Sequence, residues 1–240
     1  MNLFSKNRLR PICSAVIVAA GSSQRMGGED KQFVTINGKP VLAYSLETFE
    51  NCVAIGEIVV VTKEDSIERV REICAECGVG KVVNIVPGGE MRIDSVMNGV
   101  FAVTGKHRLI AIHDGARPCV TRELIENAIN AANSKSVHAV APAVPVSSTI
   151  KKGQRGIVIE TVDRDELFEI QTPQVFTAEI IKGALTNAKN KAIAITDDCM
   201  AVEQLGVPVR LTEGSRDNIK ITMREDIIIA EAILKSGGRT

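Results

Sequence analysis

Residues 15–20 read Ala-Val-Ile-Val-Ala-Ala and run straight into Gly21-Ser22-Ser23-Gln24-Arg25-Met26, then Gly27-Gly28-Glu29-Asp30-Lys31-Gln32. The first six are apolar throughout rather than alternating, which is the pattern of a strand covered on both faces. The residues after them are small, then cationic. Small residues let backbone N–H groups approach phosphate oxygens closely, and Arg25 and Lys31 supply charge. The loop fits neither a Walker A motif nor G-x-G-x-x-G. Taken alone, it reads equally well as a solvated turn with two surface cations.

Working outward, the same apolar pattern recurs at 57–62, 81–87, 108–113 and 137–142. Helical spacing separates these runs at 41–50, 66–77, 93–103 and 121–133, with Asp65 or Ser66 and Thr121 placed as N-caps. Strand–helix alternation repeated this often predicts an α/β fold, a doubly wound, mostly parallel Rossmann-like sheet. The alternation stops near Val144. Residues 145–166 then hold a Lys-Lys-Gly-Gln-Arg-Gly turn (151–156) and a β-branched run (156–162), the pattern of a projecting hairpin. A ribbon cannot bury Ile150, Ile157 and Ile159 by itself, so the arm is expected to pair with a second copy in a homodimer. Strands at 174–176 and 208–211 and a helix from about 224 to 234 complete one domain over residues 1–240, with its arm at about 145–166.

Composition narrows the function. Lys plus Arg number 29 and Asp plus Glu 29, so the formal charge is zero, and aromatics are only 3% of the chain. A dedicated nucleic-acid binder needs a basic excess and stacking platforms, so none is expected as a partner. No run approaches the ~18 apolar residues of a membrane span, and none is expected. The basic segment 1–10 followed by an apolar run mimics a signal peptide, but its removal would delete the first core strand, so a cytoplasmic setting is expected. Cys74 and Cys77 form C-x-x-C at the end of a helix, with no second ligand pair, and read as structural.

A second cluster, His113-Asp114-Gly115-Ala116-Arg117-Pro118, follows the most apolar strand at its carboxyl end. An acid there can hold a ribose hydroxyl or a hydrated Mg²⁺, and the guanidinium can pair with phosphate. An Asp–Arg pair that merely caps a turn is the plainer alternative.

Together these stretches resemble the 2-C-methyl-D-erythritol 4-phosphate cytidylyltransferase family, over nearly the whole chain. The resemblance rests on A-A-G-x-x-x-R-M (19–26) with Lys31-Gln32, on Gly88-Gly89-Glu90-x-Arg92-x-Asp94-Ser95-Val96, and on H-D-x-A-R-P (113–118). It continues through Thr161-Val-Asp-Arg164, Gln171-Thr-Pro-Gln174, Thr196-Asp197-Asp198 and Asp217-Asn-Ile-Lys220-Ile-Thr222. It implies a nucleotidyltransferase-type fold and transfer of CMP from CTP to methylerythritol phosphate, with release of diphosphate, for isoprenoid precursors. It further implies that Ala20, Gly21, Ser22 and Ser23 wrap the triphosphate, that Arg25 and Lys31 neutralise it, and that Lys220 adds a cation at the α-phosphate. Gly89, Asp94 and Ser95 match the segment that selects cytosine and ribose, and Asp114 the acid near ribose and metal. Arg117, Thr149, Arg164 and Thr196 match the acceptor contacts, Thr149 and Arg164 reaching from the partner's arm. The implied cofactor is Mg²⁺, or another divalent cation, held chiefly by the nucleotide. Two positions depart from the family's pattern: Ser23 replaces a common glycine and Ser148 a common aspartate.

The rival acceptor is ribitol 5-phosphate, whose cytidylyltransferases share the loop and the reaction. Val162-Asp163-Arg164 and Arg216-Asp217-Asn218 look more like the methylerythritol enzymes. An NAD(P)-dependent dehydrogenase is a further alternative, but its glycine spacing is absent from the first loop and Thr62-Lys63 stand where its ribose acid belongs. No Ser–His or Cys–His device is needed, because a phosphate dianion is already a nucleophile.

Overall fold

The computed structural model describes residues 11–21, Met26 and residues 30–237. In chain order they form β1 (Cys13–Val18), a small hairpin of β2 (Thr35–Ile36) and β3 (Lys39–Pro40), α1 (Val41–Glu50), β4 (Ile55–Thr62) and α2 (Ile67–Glu76). Next come β5 (Val82–Pro87), α3 (Arg92–Phe101), β6 (Leu109–Asp114), α4 (Arg122–Ala132) and β7 (Ala139–Pro145). An isolated ribbon of β8 (Ile150–Gln154) and β9 (Ile157–Val162) follows. The chain returns through β10 (Phe168–Ile170), β11 (Gln174–Thr177), α5 (Ala178–Asn190), α6 (Asp198–Glu203), β12 (Arg210–Glu213) and α7 (Arg224–Lys235).

The main sheet runs β10-β7-β11-β6-β1-β4-β5, with β12 also on β7. β1 pairs in parallel with both β4 and β6, and β4 with β5. β11 is inserted antiparallel between β6 and β7, while β12 runs parallel to β7 on its far edge. The chain therefore builds outward from β1 in one direction, then crosses to its other side at β6. That reversal opens a crevice at the carboxyl ends of β1 and β6, where open α/β sheets bind ligands.

The all-apolar strands follow from burial on both faces. Val16 and Ile17 are each fully buried but belong to opposite core layers, as period-2 side chains must. Ile17 packs with Leu42, Phe49, Ile73 and Ile125 under α1, α2 and α4. Val16 packs with Val96, Val100, Ile181 and Leu185 under α3 and α5.

Local chemistry sets the boundaries. Thr121 caps α4, its Oγ1 accepting from the Leu124 N–H at 3.2 Å. The expected cap at Ser66 is absent: a 3-10 turn over Glu64–Ser66 precedes α2, and the Ser66 hydroxyl donates to Asp65 instead. The ribbon turns at Arg155 and Gly156, both with positive φ (52° and 79°), as a two-residue hairpin turn requires. Residues 151–154, expected within that turn, are strand. No helix of the described residues is long and apolar enough to cross a membrane.

Candidate active site

Asp114 ends β6, opposite Val18 at the end of β1. Its backbone N–H donates to Thr172 Oγ1 at 3.1 Å, and its carboxylate meets cations from three segments. Lys220 Nζ lies 2.8 Å from Oδ2, Arg117 Nε 3.8 Å from Oδ2, and Arg92 Nη2 3.7 Å from Oδ1. Burial alone would raise this carboxyl, but Lys220, Arg92 and Arg117 overrule it and hold it well below the usual carboxylate range. The adjacent His113 is pushed down to about 3 by burial, so its ring is neutral.

Lys220 is delivered by a segment without regular structure that is stitched down at several points. The Ile221 N–H donates to Ala116 O at 2.8 Å, Arg117 Nη1 to Asn218 O at 2.6 Å, and Asn218 Nδ2 to Thr172 O at 3.0 Å. Lys31 Nζ donates to Ile221 O at 2.8 Å, which ties the first loop to the same segment.

Two cavities meet at Lys220. The larger, about 450 Å³, lies over the parallel strand ends and is lined by Ala20, Gly21, Lys31, Gly89, Arg92 and Asp114, among others. The smaller, about 300 Å³, is lined by Arg117, Glu169, Gln171, Arg216, Asn218 and Lys220. Gly88 and Gly89 are dictated by close approach at the first cavity's edge. A Cβ on Gly88 would sit 2.3 Å from the Ala20 Cβ, and one on Gly89 would sit 2.2 Å from the Asp94 Cβ. The Gly89 N–H donates to Ser95 Oγ at 3.0 Å, which shapes the turn into α3.

An elongated anion entering the larger cavity and a second anion in the smaller would share Lys220. That is the arrangement a transfer between two phosphate-bearing molecules needs. The 2-C-methyl-D-erythritol 4-phosphate cytidylyltransferase family model matches residues 13–236. The chain belongs to this family.

Relatives agree over most of their lengths. The 2-C-methyl-D-erythritol 4-phosphate cytidylyltransferase of Clostridium botulinum (strain Loch Maree / Type A3) is 45% identical over 224 residues, 92% of this chain and 97% of that protein. The Dehalococcoides mccartyi enzyme of the same name (strain ATCC BAA-2266 / KCTC 15142 / 195) is 42% identical, covering 93% and 96%. Among solved structures, 4-diphosphocytidyl-2C-methyl-D-erythritol synthase from Anaerococcus prevotii DSM 20548 superposes with a TM-score of 0.83 at 31% identity, covering 94% of this chain and 96% of that one.

In this member of the family, Ala20, Gly21, Lys31, Gly89, Ser95, Asp114 and Lys220 all line the larger cavity. Arg117 lines the smaller. Ser22, Ser23 and Arg25 lie outside the described residues. Asp94 faces elsewhere: its carboxylate accepts the Met91 N–H at 3.1 Å, capping α3, and pairs with Lys189 on α5. Thr196 is exposed at the entry to α6, its hydroxyl 3.7 Å from Met200 Sδ. Thr149 and Arg164 are exposed at the root of the ribbon, Arg164 donating to Ser147 O at 2.7 Å, and neither lines either of these two cavities.

Two residues given no role from the sequence line the cleft, and a third holds one of them in place. Arg92 lines it and is held in a fork by Asp198, and Lys63 lines it while pairing with Asp30 at 2.7 Å. Arg92 stands three residues beyond Gly89 and Asp198 two beyond Thr196, so both motifs held the signal. The thiols of Cys74 and Cys77 are both raised by burial, Cys74 to about 11, which suits packing rather than reactivity.

Proposed function

We propose that this chain transfers the cytidylyl group of CTP to the phosphate of 2-C-methyl-D-erythritol 4-phosphate, giving 4-diphosphocytidyl-2-C-methyl-D-erythritol and diphosphate. Lys220 carries the reading: it pairs with Asp114, lines both cavities, and so stands where donor and acceptor phosphates would meet. A phosphate oxygen of the acceptor attacks the α-phosphorus, the bond to the β-phosphate breaks, and diphosphate leaves with the electron pair. No protein nucleophile is required. Lys31 and Lys220 are assigned to charge developing on the five-coordinate phosphorus, joined by Arg25. Arg117, Thr149, Arg164 and Thr196 are assigned to the acceptor, and Gly89, Asp94 and Ser95 to cytosine and ribose. The cation hub suits this assignment, since preorganised charge is the main aid a phosphate nucleophile needs.

A divalent cation, Mg²⁺ by preference, fits a cleft with Asp114 at its floor. The described residues hold no group of three or more acidic, His or Cys side chains for a protein cage, and among them Arg92, 3.7 Å away, is the cation beside Asp114 Oδ1. Such an ion would be held by Asp114 and nucleotide phosphates, and supplies charge neutralisation when bound.

The chain acts as a homodimer through its ribbon. Ile157, Val158 and Ile159 are 71%, 60% and 58% exposed, a continuous apolar run that a second copy would cover. Thr149 and Arg164, which line neither of the two cavities, would then serve the partner's site. A cytoplasmic setting accords with six free thiols, five of them buried. Ribitol 5-phosphate as acceptor and dinucleotide-dependent dehydrogenation are both disfavoured by family membership. Diphosphate release with CTP and each polyol phosphate in turn tests the assignment.

A further inference from the structure

We propose that Asp198 is a positioning residue of the nucleotide cleft, acting through Arg92. The inference rests on reading the larger cavity as the CTP site. Arg92 opens α3 and lines that cavity, whereas Asp198 is fully buried and lines neither cavity. The two form a fork: Arg92 Nη1 lies 2.7 Å from Asp198 Oδ1, and Nη2 lies 2.9 Å from Oδ2. The same Nη2 is 3.7 Å from Asp114 Oδ1. Asp198 therefore reaches a bound nucleotide only by way of the guanidinium it holds.

The mounting of Asp198 is fixed from the sheet. Asp197 caps α6, its Oδ1 accepting the Met200 N–H at 2.9 Å. Gln174 on β11 donates to Asp197 Oδ2 at 2.8 Å and accepts the Cys199 N–H at 3.1 Å. A rigid path thus leads from β11 through the start of α6 to Asp198, then to Arg92 and the cleft wall. Burial raises the Asp198 carboxyl while Arg92 lowers it, and for Arg92 burial works downward while Asp198 carries it above its usual range. A buried pair of this kind contributes little net stability, because desolvation offsets attraction. Its distinctive product is direction: a long, rotatable cation is held in one orientation before ligand arrives. Released from Asp198, the guanidinium would be free to turn to Asp114, 3.7 Å away, and compete with Lys220 there.

The test measures CTP binding by calorimetry, with separate KM values for CTP and methylerythritol phosphate, in wild type, Asp198→Asn, Asp198→Glu, Arg92→Lys and the Arg92→Lys/Asp198→Asn double variant. Loss of the fork is expected to weaken CTP binding about 10-fold or more while the acceptor KM moves by no more than about twofold. Asp198→Glu should recover part of the loss, and the double variant should be no worse than the worse single one, because one fork is broken in each. Unchanged CTP affinity in Asp198→Asn and Arg92→Lys, with only a lower melting temperature, would overturn the proposal. Should Asp198→Asn fail to fold, the partly exposed Arg92→Lys decides alone. Wild-type protein that binds no CTP would overturn the nucleotide reading itself, an outcome distinct from unaffected variants.

Discussion

Lys220 and Asp114 stand 106 residues apart in the chain, yet Nζ and Oδ2 approach to 2.8 Å at the junction of two cavities. Before any ligand binds, Asp114 supplies the negative charge around which Lys220, Arg92 and Arg117 gather. Phosphate groups arriving in either cavity would compete with Asp114 for the same cations.

That competition has a measurable consequence. Asp114→Asn removes a buried anion shared by three partly buried cations, and should cost about 3 kcal/mol of stability. Diphosphate, as a replacement anion, should raise the melting temperature of the variant more than that of the wild type. Thermal denaturation with and without diphosphate checks this, and equal stability of the two proteins would contradict it.

Gly88 makes a separate prediction. Its Cβ would come within 2.3 Å of the Ala20 Cβ, so Gly88→Ala must push the turn before α3 away from the first loop. The KM for CTP should rise by about 10-fold or more, since small misplacements of positioning groups are costly. The KM for the acceptor, measured in the same assay, should change little.

His113 controls part of the acid sensitivity. Burial holds its ring neutral in the fold down to about 3, against an ordinary 6.5 when the chain is unfolded. Between those values the unfolded chain binds the extra proton, so stability falls as pH drops below 6.5, by up to about 1.4 kcal/mol per pH unit. Asp114, held low, adds its own loss only at more acidic pH, below the ordinary carboxylate value. Chemical denaturation between pH 7 and 4.5 should show a shallower slope for His113→Asn than for the wild type.

Much of this was legible because it is local. The run 15–20 is apolar at every position, and His113 to Arg117 follows a strand directly, so their meeting at the sheet's carboxyl edge needs only the α/β pattern. The first α-helix and the ribbon were equally plain. Helix α5 was not, because its buried face is carried partly by Ala184 and Ala188, which give little hydrophobic contrast. β10 was missed too, being only three residues long, whereas β11, which follows it along the same side of β7 after 171–173, was expected at 174–176. The partners of Asp94 were not legible: its carboxylate accepts at the start of α3 and pairs with Lys189, which only the packing of α5 against α3 brings near. The link from Asp198 to Arg92 joins positions 106 apart, and only the tertiary fold brings the start of α6 to the start of α3.

The ribbon is testable by complementation. If Arg164 serves the partner's site, mixing Lys220→Ala with Arg164→Ala protein should restore up to about a quarter of wild-type activity, because half the dimers are mixed and each holds one complete site. No recovery on mixing, with subunit exchange confirmed, would contradict a role in trans. Ile157→Ser with Ile159→Ser should shift the mass in sedimentation toward that of a single chain.

On the proposed reading, Lys220 joins a CTP site to a polyol-phosphate site. The most direct measurement is diphosphate release from CTP and Mg²⁺ with methylerythritol phosphate or ribitol 5-phosphate, using wild type and Lys220→Ala. Turnover with methylerythritol phosphate, lowered about 100-fold or more in the variant, is the predicted result. Release with ribitol 5-phosphate but not with methylerythritol phosphate, or a variant of near-normal kcat/KM, would contradict it.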